Sequence, residues 1–175
     1  TGIRGVVLPP IRKSDNKCRW AAIDVDGNIY KDDNFKGELL DKLVDLDLPI
    51  VPCFSKSKGL HLYTRFKEWT DAQVVINILK TFLFKLDLPP DTEIFPKQAK
   101  LGSKDTGNGI MLPYMKGIGN DYVRYWEERK EFSTRSLDTF CELMLCLDVN
   151  PEEIKIELPE KPKSELPEKP KLNGK

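Results

Sequence analysis

The pattern of hydrophobic and polar positions along the chain predicts strands that alternate with helices. Short apolar or alternating runs indicate strands at Arg4–Leu8, Arg19–Val25, Ile50–Phe54, His61–Phe66, Glu93–Phe95 and Ile110–Tyr114. Apolar residues at helical spacing indicate helices at Phe35–Leu46, Val74–Leu86 and Ser136–Leu147. Arg4–Leu8 is expected to be buried and Ile11–Asn16 to be a polar connection, while Thr70 and Ser136 are the expected N-caps of the last two helices. This alternation predicts an α+β (mixed α/β) fold.

The C-terminus carries a direct repeat of Glu-Leu-Pro-Glu-Lys-Pro-Lys, at residues 157–163 and again at 165–171. Prolines among charged residues cannot form a packed core and favour an extended chain. We therefore predict one domain at residues 1–150 and a Pro/Glu/Lys-rich linker or tail at 151–175. From a linker in this place we expect something further beyond it.

Composition narrows the function only slightly. The chain has 28 basic and 28 acidic residues, so any site for a polyanion must be local. No apolar run reaches the roughly 20 residues that span a bilayer, and no signal peptide opens the chain, so we expect a cytoplasmic protein without a membrane partner. The four cysteines match no zinc spacing and are expected to be structural free thiols, with Cys141 and Cys146 acting as small apolar residues of a helix.

Two carboxylates end the second predicted strand, in Asp24-Val25-Asp26. Residues two apart share a face of a strand, so both side chains should point the same way. Like charges this close favour a cation between them, and hard oxygen ligands suit Mg²⁺ or Mn²⁺. A solvated turn is the simpler explanation. An EF-hand is excluded because Ile29 and Phe35 occupy the sixth and twelfth positions, whereas a haloacid-dehalogenase phosphatase stays open on this motif alone.

The only histidine, His61, ends a polar segment that leads into a strand. Hydroxyls, ammonium groups and open backbone N–H groups together suit a polyphosphate. The segment does not have the spacing of a Walker P-loop, and a solvated lysine-rich turn is an alternative. The candidate phosphate-binding residues are Ser55, Lys56, Ser57, Lys58, Gly59 and His61.

A third group of polar residues begins at Glu93, on a short predicted strand whose next residue, Ile94, should face the opposite side of the sheet. Lys97 follows in a long loop that ends at Gly107-Asn108-Gly109. Glycines there would allow a ligand to approach the backbone closely, although an ordinary glycine-rich hairpin has the same sequence pattern.

Taken in this order, the segments resemble those of the archaeo-eukaryotic primases. Asp24-Val25-Asp26 is similar to the family's Asp-x-Asp motif, Ser55–His61 to its Ser-x-x-x-Gly-x-His type motif, and Glu93 to its strand acidic residue, which is often Asp in the family. The strings Glu93–Gln98 and Gly107–Pro113 are especially similar to primase-polymerases of phages, mobile elements and conflict systems. The resemblance covers roughly residues 1 to 130.

The resemblance implies an RRM-like sheet with an N-terminal α/β unit and an active site between them. It implies a template-directed nucleotidyltransferase that makes or extends primers in phage, plasmid or mobile-element DNA replication. Asp24, Asp26 and Glu93 would hold two Mg²⁺ or Mn²⁺ ions, with Asp91 as a substitute for Glu93. The expected nucleotide contacts are Ser55, Lys56, Ser57, Lys58, Gly59, His61, Lys97 and Asn108.

The implied partners are nucleoside triphosphates, a DNA template and primer, and a helicase or other replication domain beyond the linker. Lys100, Lys104 and Arg124 are weaker candidates for contacts with the DNA backbone. A metal-dependent phosphatase or nuclease of the Asp-x-Asp type remains an alternative, and so does a non-catalytic module that binds nucleotides or DNA.

Overall fold

The structure is a computed structural model, and it describes residues 6–27, 32–55, 59–114 and 136–157 together with the backbone of two strands at 124–128 and 131–134. The helices are Asp33–Asp45 (α1), Ala72–Lys85 (α2) and Leu137–Cys146 (α3), and a 3-10 turn covers Pro151–Glu153. The strands are Val7–Leu8 (β1), Ile11–Arg12 (β2), Lys17–Val25 (β3), Val51–Phe54 (β4), Leu60–Asp71 (β5), Glu93–Phe95 (β6), Ile110–Met111 (β7), Arg124–Glu128 (β8) and Glu131–Thr134 (β9).

The central sheet is built from a β-α-β-β-α-β unit that runs from β3 to β6. Its strands lie in the order β6-β3-β5-β4, and each neighbouring pair is antiparallel. Strand β2 pairs with the first residues of β3, and β6 pairs with later residues on the same side of β3. This is the arrangement of a split β-α-β motif, and it confirms a mixed α+β domain with a mostly antiparallel sheet.

One face of the sheet is covered by α1 and α2. Alternate residues of β3 and β5 point into this main core, since side chains of a strand alternate between faces. Ala21, Ile23 and Val25 on β3 pack here together with Leu62 and Phe66 on β5 and with the apolar stripe of α2. The residues between them point to the other face, which α3 covers in part through Phe140, Leu143 and Met144.

The C-terminal part of the described chain returns to the sheet and to α2. The backbone of Val149 exchanges hydrogen bonds with Arg65 and Lys67 at the edge of β5. Ile154 packs against the main core, and the N–H of Glu157 donates to Thr81 Oγ1 at 3.1 Å. Contacts with the body of the domain therefore extend past residue 150, and the rest of the proline-containing repeat lies outside the described residues.

Two predictions near the N-terminus were wrong. The strand expected to be buried at Arg4–Leu8 is described as the short strand β1, whose Val7 and Leu8 are exposed. It pairs with β7 in a two-stranded ribbon and is not a strand of the central sheet. The expected polar connection after it contains β2, because Ile11 is buried and pairs with Cys18 in a hairpin.

The sequence placed a helix cap incorrectly, and all four cysteines are free thiols, two of them exposed. Asp71, not Thr70, caps α2, since its carboxylate accepts the N–H of Gln73 at 2.8 Å while Thr70 is buried on β5 and donates to Glu68. Cys141 and Cys146 are exposed, because α3 covers the sheet with other residues of its surface. Cys18 and Cys53 are buried, and Ser136 caps α3 as predicted.

Among the described ranges, every helix is too short or too polar to cross a membrane.

The cap assignment can be tested by removing the Asp71 carboxylate. Asp71→Ala should lower the free energy of unfolding by about 1 kcal/mol, since a backbone N–H at the start of α2 then loses its acceptor. Asp71→Asn keeps an acceptor and should cost less. Urea unfolding of both variants measures the difference, and equal losses for the two would contradict the assignment.

Candidate active site

A row of ionisable side chains crosses the open face of the sheet where β3 ends. Asp24 on β3 is paired in register with Glu93 on one neighbouring strand, β6, and with His61 on the other, β5. Residues directly opposite each other in antiparallel strands have Cβ atoms about 4.5–5.5 Å apart and share a face. The sheet therefore places Asp24 between Glu93 and His61, which are separated from it by tens of residues in the chain.

The Asp24 carboxylate is poorly solvated and close to other negative charges. Its side chain is 24% exposed, and Oδ1 is buried without a hydrogen-bond partner. Burial, reinforced by Asp26 and Glu93, raises the pKa of Asp24 from 3.8 to about 6, while Lys97 acts in the opposite direction. The ionised form of this carboxylate is therefore unfavourable in the folded protein, and a bound cation would stabilise it.

Glu93 already has a positive partner. Lys97 Nζ lies 2.8 Å from Glu93 Oε1 and 5.2 Å from the centroid of the Phe95 ring. Lys97 was predicted as a nucleotide contact, and the structure places its ammonium group beside the carboxylate of Glu93. Its ammonium group supplies the counter-charge at this edge of the site.

His61 is packed between Asp24 and a tyrosine of its own strand. Its Nε2 lies 3.5 Å from Asp24 Oδ1, an oxygen that has no hydrogen-bond partner. Its Nδ1 lies 3.3 Å from the hydroxyl of Tyr63, which donates to the carbonyl of Met111 at 2.7 Å. Burial lowers the pKa of His61 from 6.5 to about 4, although hydrogen bonding with the Met111 backbone and the charge of Asp26 oppose this shift.

A cavity of about 540 Å³ opens beside this row. Its volume is within the range of roughly 300–1,000 Å³ that is usual for small-molecule sites. The sequence predicted six of the residues that line it, from three separate segments: Asp24, Ser55, His61, Glu93, Lys97 and Asn108. The remaining lining residues are Phe95, Gly109, Ile110 and Met111.

A second cavity, of about 590 Å³, lies on the other side of Asp24 and Glu93. Asp26 and Asp91 line it, and neither lines the first cavity. Asp24 and Asp26 thus both line this cavity, and the common direction of their carboxylates stays a prediction. The two cavities are divided by Asp24 and Glu93, the side chains that line both.

Gly59 brings the second motif against the first. A Cβ at this position would lie 2.3 Å from the carbonyl oxygen of Val25, so only glycine allows the start of β5 to approach the end of β3 this closely. The N–H of Ser55 donates to the carbonyl of Gly59 at 3.0 Å. Lys56, Ser57 and Lys58 lie outside the described residues, so their role as phosphate ligands stays a prediction.

The glycines around Asn108 are approached closely by the protein's own chain. Gly107 has a φ of +81° and packs near Ile11 and Pro9, and a Cβ on Gly109 would lie 2.7 Å from the side chain of Val7. They hold the β7 segment against β1, which places Asn108 at the first cavity. Gly109 also lines that cavity, so the close approach of a ligand to the backbone there stays a prediction.

Two of the three weaker basic candidates lie outside the lining of both cavities. Lys100 and Lys104 are exposed in the loop before β7, and neither lines the cavities beside Asp24. Arg124 lies in β8, of which the structure describes only the backbone.

The chemistry of the donors suits a hard divalent ion, because carboxylate oxygens predominate and Asp24 Oδ1 has no hydrogen-bond partner. Within the described ranges, no group of three or more His, Cys, Asp or Glu side chains converges as a coordination shell. A cation bound to Glu93 would compete with the Lys97 ammonium.

Tyr63 is the residue at this site that the sequence did not single out. It appeared only as an alternating member of the β5 strand, yet its hydroxyl connects His61 to the backbone of β7. Its position two residues after His61, on the same face of a strand, was the signal that could have identified it.

Comparison of the sequence with protein-family models gave no match, and a search of curated proteins gave none either.

The close approach at Gly59 predicts a large effect of a single methyl group. Gly59→Ala forces the chain away from Val25, so the free energy of unfolding should fall by about 1–3 kcal/mol. Gly102→Ala is the matched control, since its Cβ would meet only the end of the flexible Asp105 side chain, at 2.9 Å. Urea unfolding compares the two, and losses of the same size would contradict a special requirement at Gly59.

The raised pKa of Asp24 predicts that this residue destabilises the fold at neutral and alkaline pH. Between about pH 4 and pH 6 the unfolded chain loses the Asp24 proton before the folded protein does, so stability falls as pH rises. Asp24→Asn should therefore raise the free energy of unfolding at pH 8, by up to about 3 kcal/mol. The gain should shrink toward pH 4.

The exposed residue Asp45 provides the control for this experiment. Asp45→Asn removes the same charge from the surface of α1 and should change stability much less at either pH. Urea unfolding at pH 8 and pH 4 gives both values. A pH-independent gain for Asp24→Asn, or a loss at pH 8, would show that burial of this carboxylate is not costly.

Proposed function

We propose that this domain is a primase-polymerase, which joins nucleotides to a primer on a DNA template. The single observation that supports this most is the cross-strand row of Asp24, His61 and Glu93. One residue from each of the three motifs meets its neighbours on one face of the sheet, although the motifs are far apart in the chain. Segments that served only as unrelated turns would have no reason to meet there.

The carboxylates are the proposed metal ligands. Asp24, Asp26 and Glu93 would hold Mg²⁺ or Mn²⁺, with Asp91 placed to contribute from the wall of the second cavity. Bound in a pair, such ions activate an attacking hydroxyl and stabilise the leaving group of a phosphoryl transfer. The buried oxygen of Asp24 supports this assignment, because it has no protein donor to satisfy it.

The first cavity is the proposed nucleotide site. Ser55, His61 and Asn108 offer polar groups along its wall, and Lys97 brings a positive charge to the same space. Cations and N–H groups fixed at such a place stabilise the charge that builds up during phosphoryl transfer. Lys56, Ser57 and Lys58 would extend this wall from the turn.

The β-α-β-β-α-β order of the sheet is in keeping with the RRM-like sheet that the resemblance implies. The described residues before β3 form the strands β1 and β2, so the N-terminal α/β unit of the family stays an expectation. The proposed partners are nucleoside triphosphates and a DNA template and primer.

The balanced charge of the chain favours weak binding of DNA that falls steeply as salt rises. A helicase or other replication domain beyond the proline-containing segment would compensate by raising the effective concentration of DNA.

The proposal is tested by primer extension with a labelled primer, a template, nucleotides and either Mn²⁺ or Mg²⁺. The wild-type domain should extend the primer, and Asp24→Asn should lower the rate at least about 100-fold because charge stabilisation is lost. Since this variant is expected to be more stable than wild type at pH 8, a loss of activity could not be attributed to unfolding.

Asp45→Asn serves as the active control in the same assay. A wild-type domain that is folded but makes no extended product or dinucleotide would contradict the proposal, and so would full activity of Asp24→Asn. A phosphatase would instead form a phospho-aspartate at Asp24, which mass spectrometry after acid quenching detects. A binding module would keep its nucleotide affinity after Asp24→Asn.

A further inference from the structure

A third cavity, also of about 540 Å³, opens on the same face of the sheet as Asp24. Trp20 lines it and stands four residues before Asp24 on β3, so both side chains point to that face and lie roughly 13 Å apart along the strand. The ring of Tyr63 lines this cavity, while its hydroxyl contacts His61 and Met111, which line the first one. The two cavities are therefore neighbours, with Tyr63 between them.

Aromatic and aliphatic side chains form most of the wall of this third cavity. The ring centroid of Tyr63 lies 6.1 Å from that of Trp20 and 6.2 Å from that of Phe140 on α3. Trp20 and Phe140 are only half-buried, and Leu137 and Leu145 of α3 are 51% and 61% exposed at the same cavity. Exposed apolar side chains grouped around a cavity are typical of a binding site.

Two arginines, Arg19 and Arg65, bring positive charge to the wall. The pairing of β3 with β5 shifts between Cys18 and Trp20, and Cys18 and Ala21 both belong to the main core. The two residues between them, Arg19 and Trp20, both line the cavity on the other face. A cation and an aromatic ring thus stand side by side.

The two arginines differ in how firmly the protein holds them. Arg65 Nη1 pairs with the carboxylate of Asp148 and lies 3.4 Å from the carbonyl oxygen of Leu145. Arg19 has the carboxylate of Glu68 at 3.6 Å, which is longer than a hydrogen bond, and the side chain of Glu68 is 79% exposed. A guanidinium has five N–H donors, so Arg19 keeps donors for an anion at the cavity.

This combination suits a flat ring that is attached to an anionic group. Aromatic faces beside a cation bind the bases and phosphates of single strands, because every base has a π-face. A base inside a double helix is already stacked and paired, and it reaches a pocket only when it is flipped out. A wholly apolar ligand would gain nothing from Arg19.

We propose that the third cavity binds an unpaired base of a single DNA strand, with the base against Trp20 and Phe140 and a neighbouring phosphate on Arg19. The identity of this strand as the template rests on the proposed function. Because the cavity adjoins the first one at Tyr63, the strand would be held on the sheet beside the proposed nucleotide site.

The test measures binding of a fluorescently labelled oligothymidine to the whole chain, by anisotropy at low salt and without nucleotide or metal. A second oligonucleotide of the same length carries abasic sites, which keep the phosphates and remove the bases. Wild-type protein should bind the intact strand at least about fivefold more tightly, which is the smaller end of what one stacked base contributes.

Trp20→Leu keeps an apolar side chain and removes the ring. It should lower the affinity for the intact strand at least about fivefold and leave the affinity for the abasic strand unchanged. Trp69→Leu is the matched control, since Trp69 is a 40% exposed tryptophan outside the cavity, with the guanidinium of Arg12 over its ring. It should change neither affinity. Phe140→Leu makes the same test from α3.

The phosphate contact is tested by the dependence of binding on salt. Arg19→Gln should reduce the slope of log affinity against log salt concentration by about 0.7, the value for one phosphate of a single strand. Lys80→Gln removes an exposed positive charge from α2, on the opposite face of the sheet, and should leave the slope unchanged. An unchanged slope for Arg19→Gln would contradict its contact with a phosphate.

Equal affinities of the wild-type protein for the intact and abasic strands would overturn the proposal, and this result needs no variant to fold. Unchanged affinity in folded Trp20→Leu and Phe140→Leu would overturn it too, as expected if a protein segment or an apolar compound occupied the cavity. An equal loss in Trp69→Leu would have the same meaning.

The assay involves no catalysis, so its result is independent of the primer-extension test. An inactive domain that loses affinity in Trp20→Leu would contradict the primase-polymerase assignment and leave the strand site standing. An active domain without that loss would contradict the strand site alone.

Discussion

The register that places Asp24 between Glu93 and His61 is the constraint on which the rest of the site depends. It brings carboxylates together on a partly desolvated face, where burial, Asp26 and Glu93 disfavour the ionisation of Asp24. The fold tolerates this arrangement because Lys97 lies on Glu93 and because the main core on the opposite face is large. An unfavourable cluster that is retained at the edge of a cavity is a common property of functional sites.

The close contacts around the row maintain this register. Gly59 lets the end of β3 and the start of β5 meet without a side chain between them, and Gly109 does the same for β7 and β1. Tyr63 then ties the sheet to the β7 segment through the carbonyl of Met111. Two cavities consequently meet at Asp24, one with polar and basic walls and one lined by further carboxylates.

The sequence predicted an element well where the side chains of that element alone determine its structure. The strand at Glu93–Phe95 and the Ser136 cap are confirmed, since a period of two and a hydroxyl before a helix act over a few residues. Thr70 was wrong as a cap because β5 continues to Asp71, and continuation of a strand depends on its partner β3. The prediction that the apolar run before Pro9 is buried was wrong, because a run of apolar residues does not specify which element will cover it.

The sequence alone determined the chemical character of the site: which carboxylates, which histidine and which turn could act together. Residue types and short spacings carry that information. Only the tertiary structure decided that Lys97 pairs with Glu93, that the glycines near Asn108 contact the protein's own chain, and that Tyr63 contacts His61. These relations join separate strands and loops, and the pairing of strands and the packing of loops arise from the whole fold and not from any one segment.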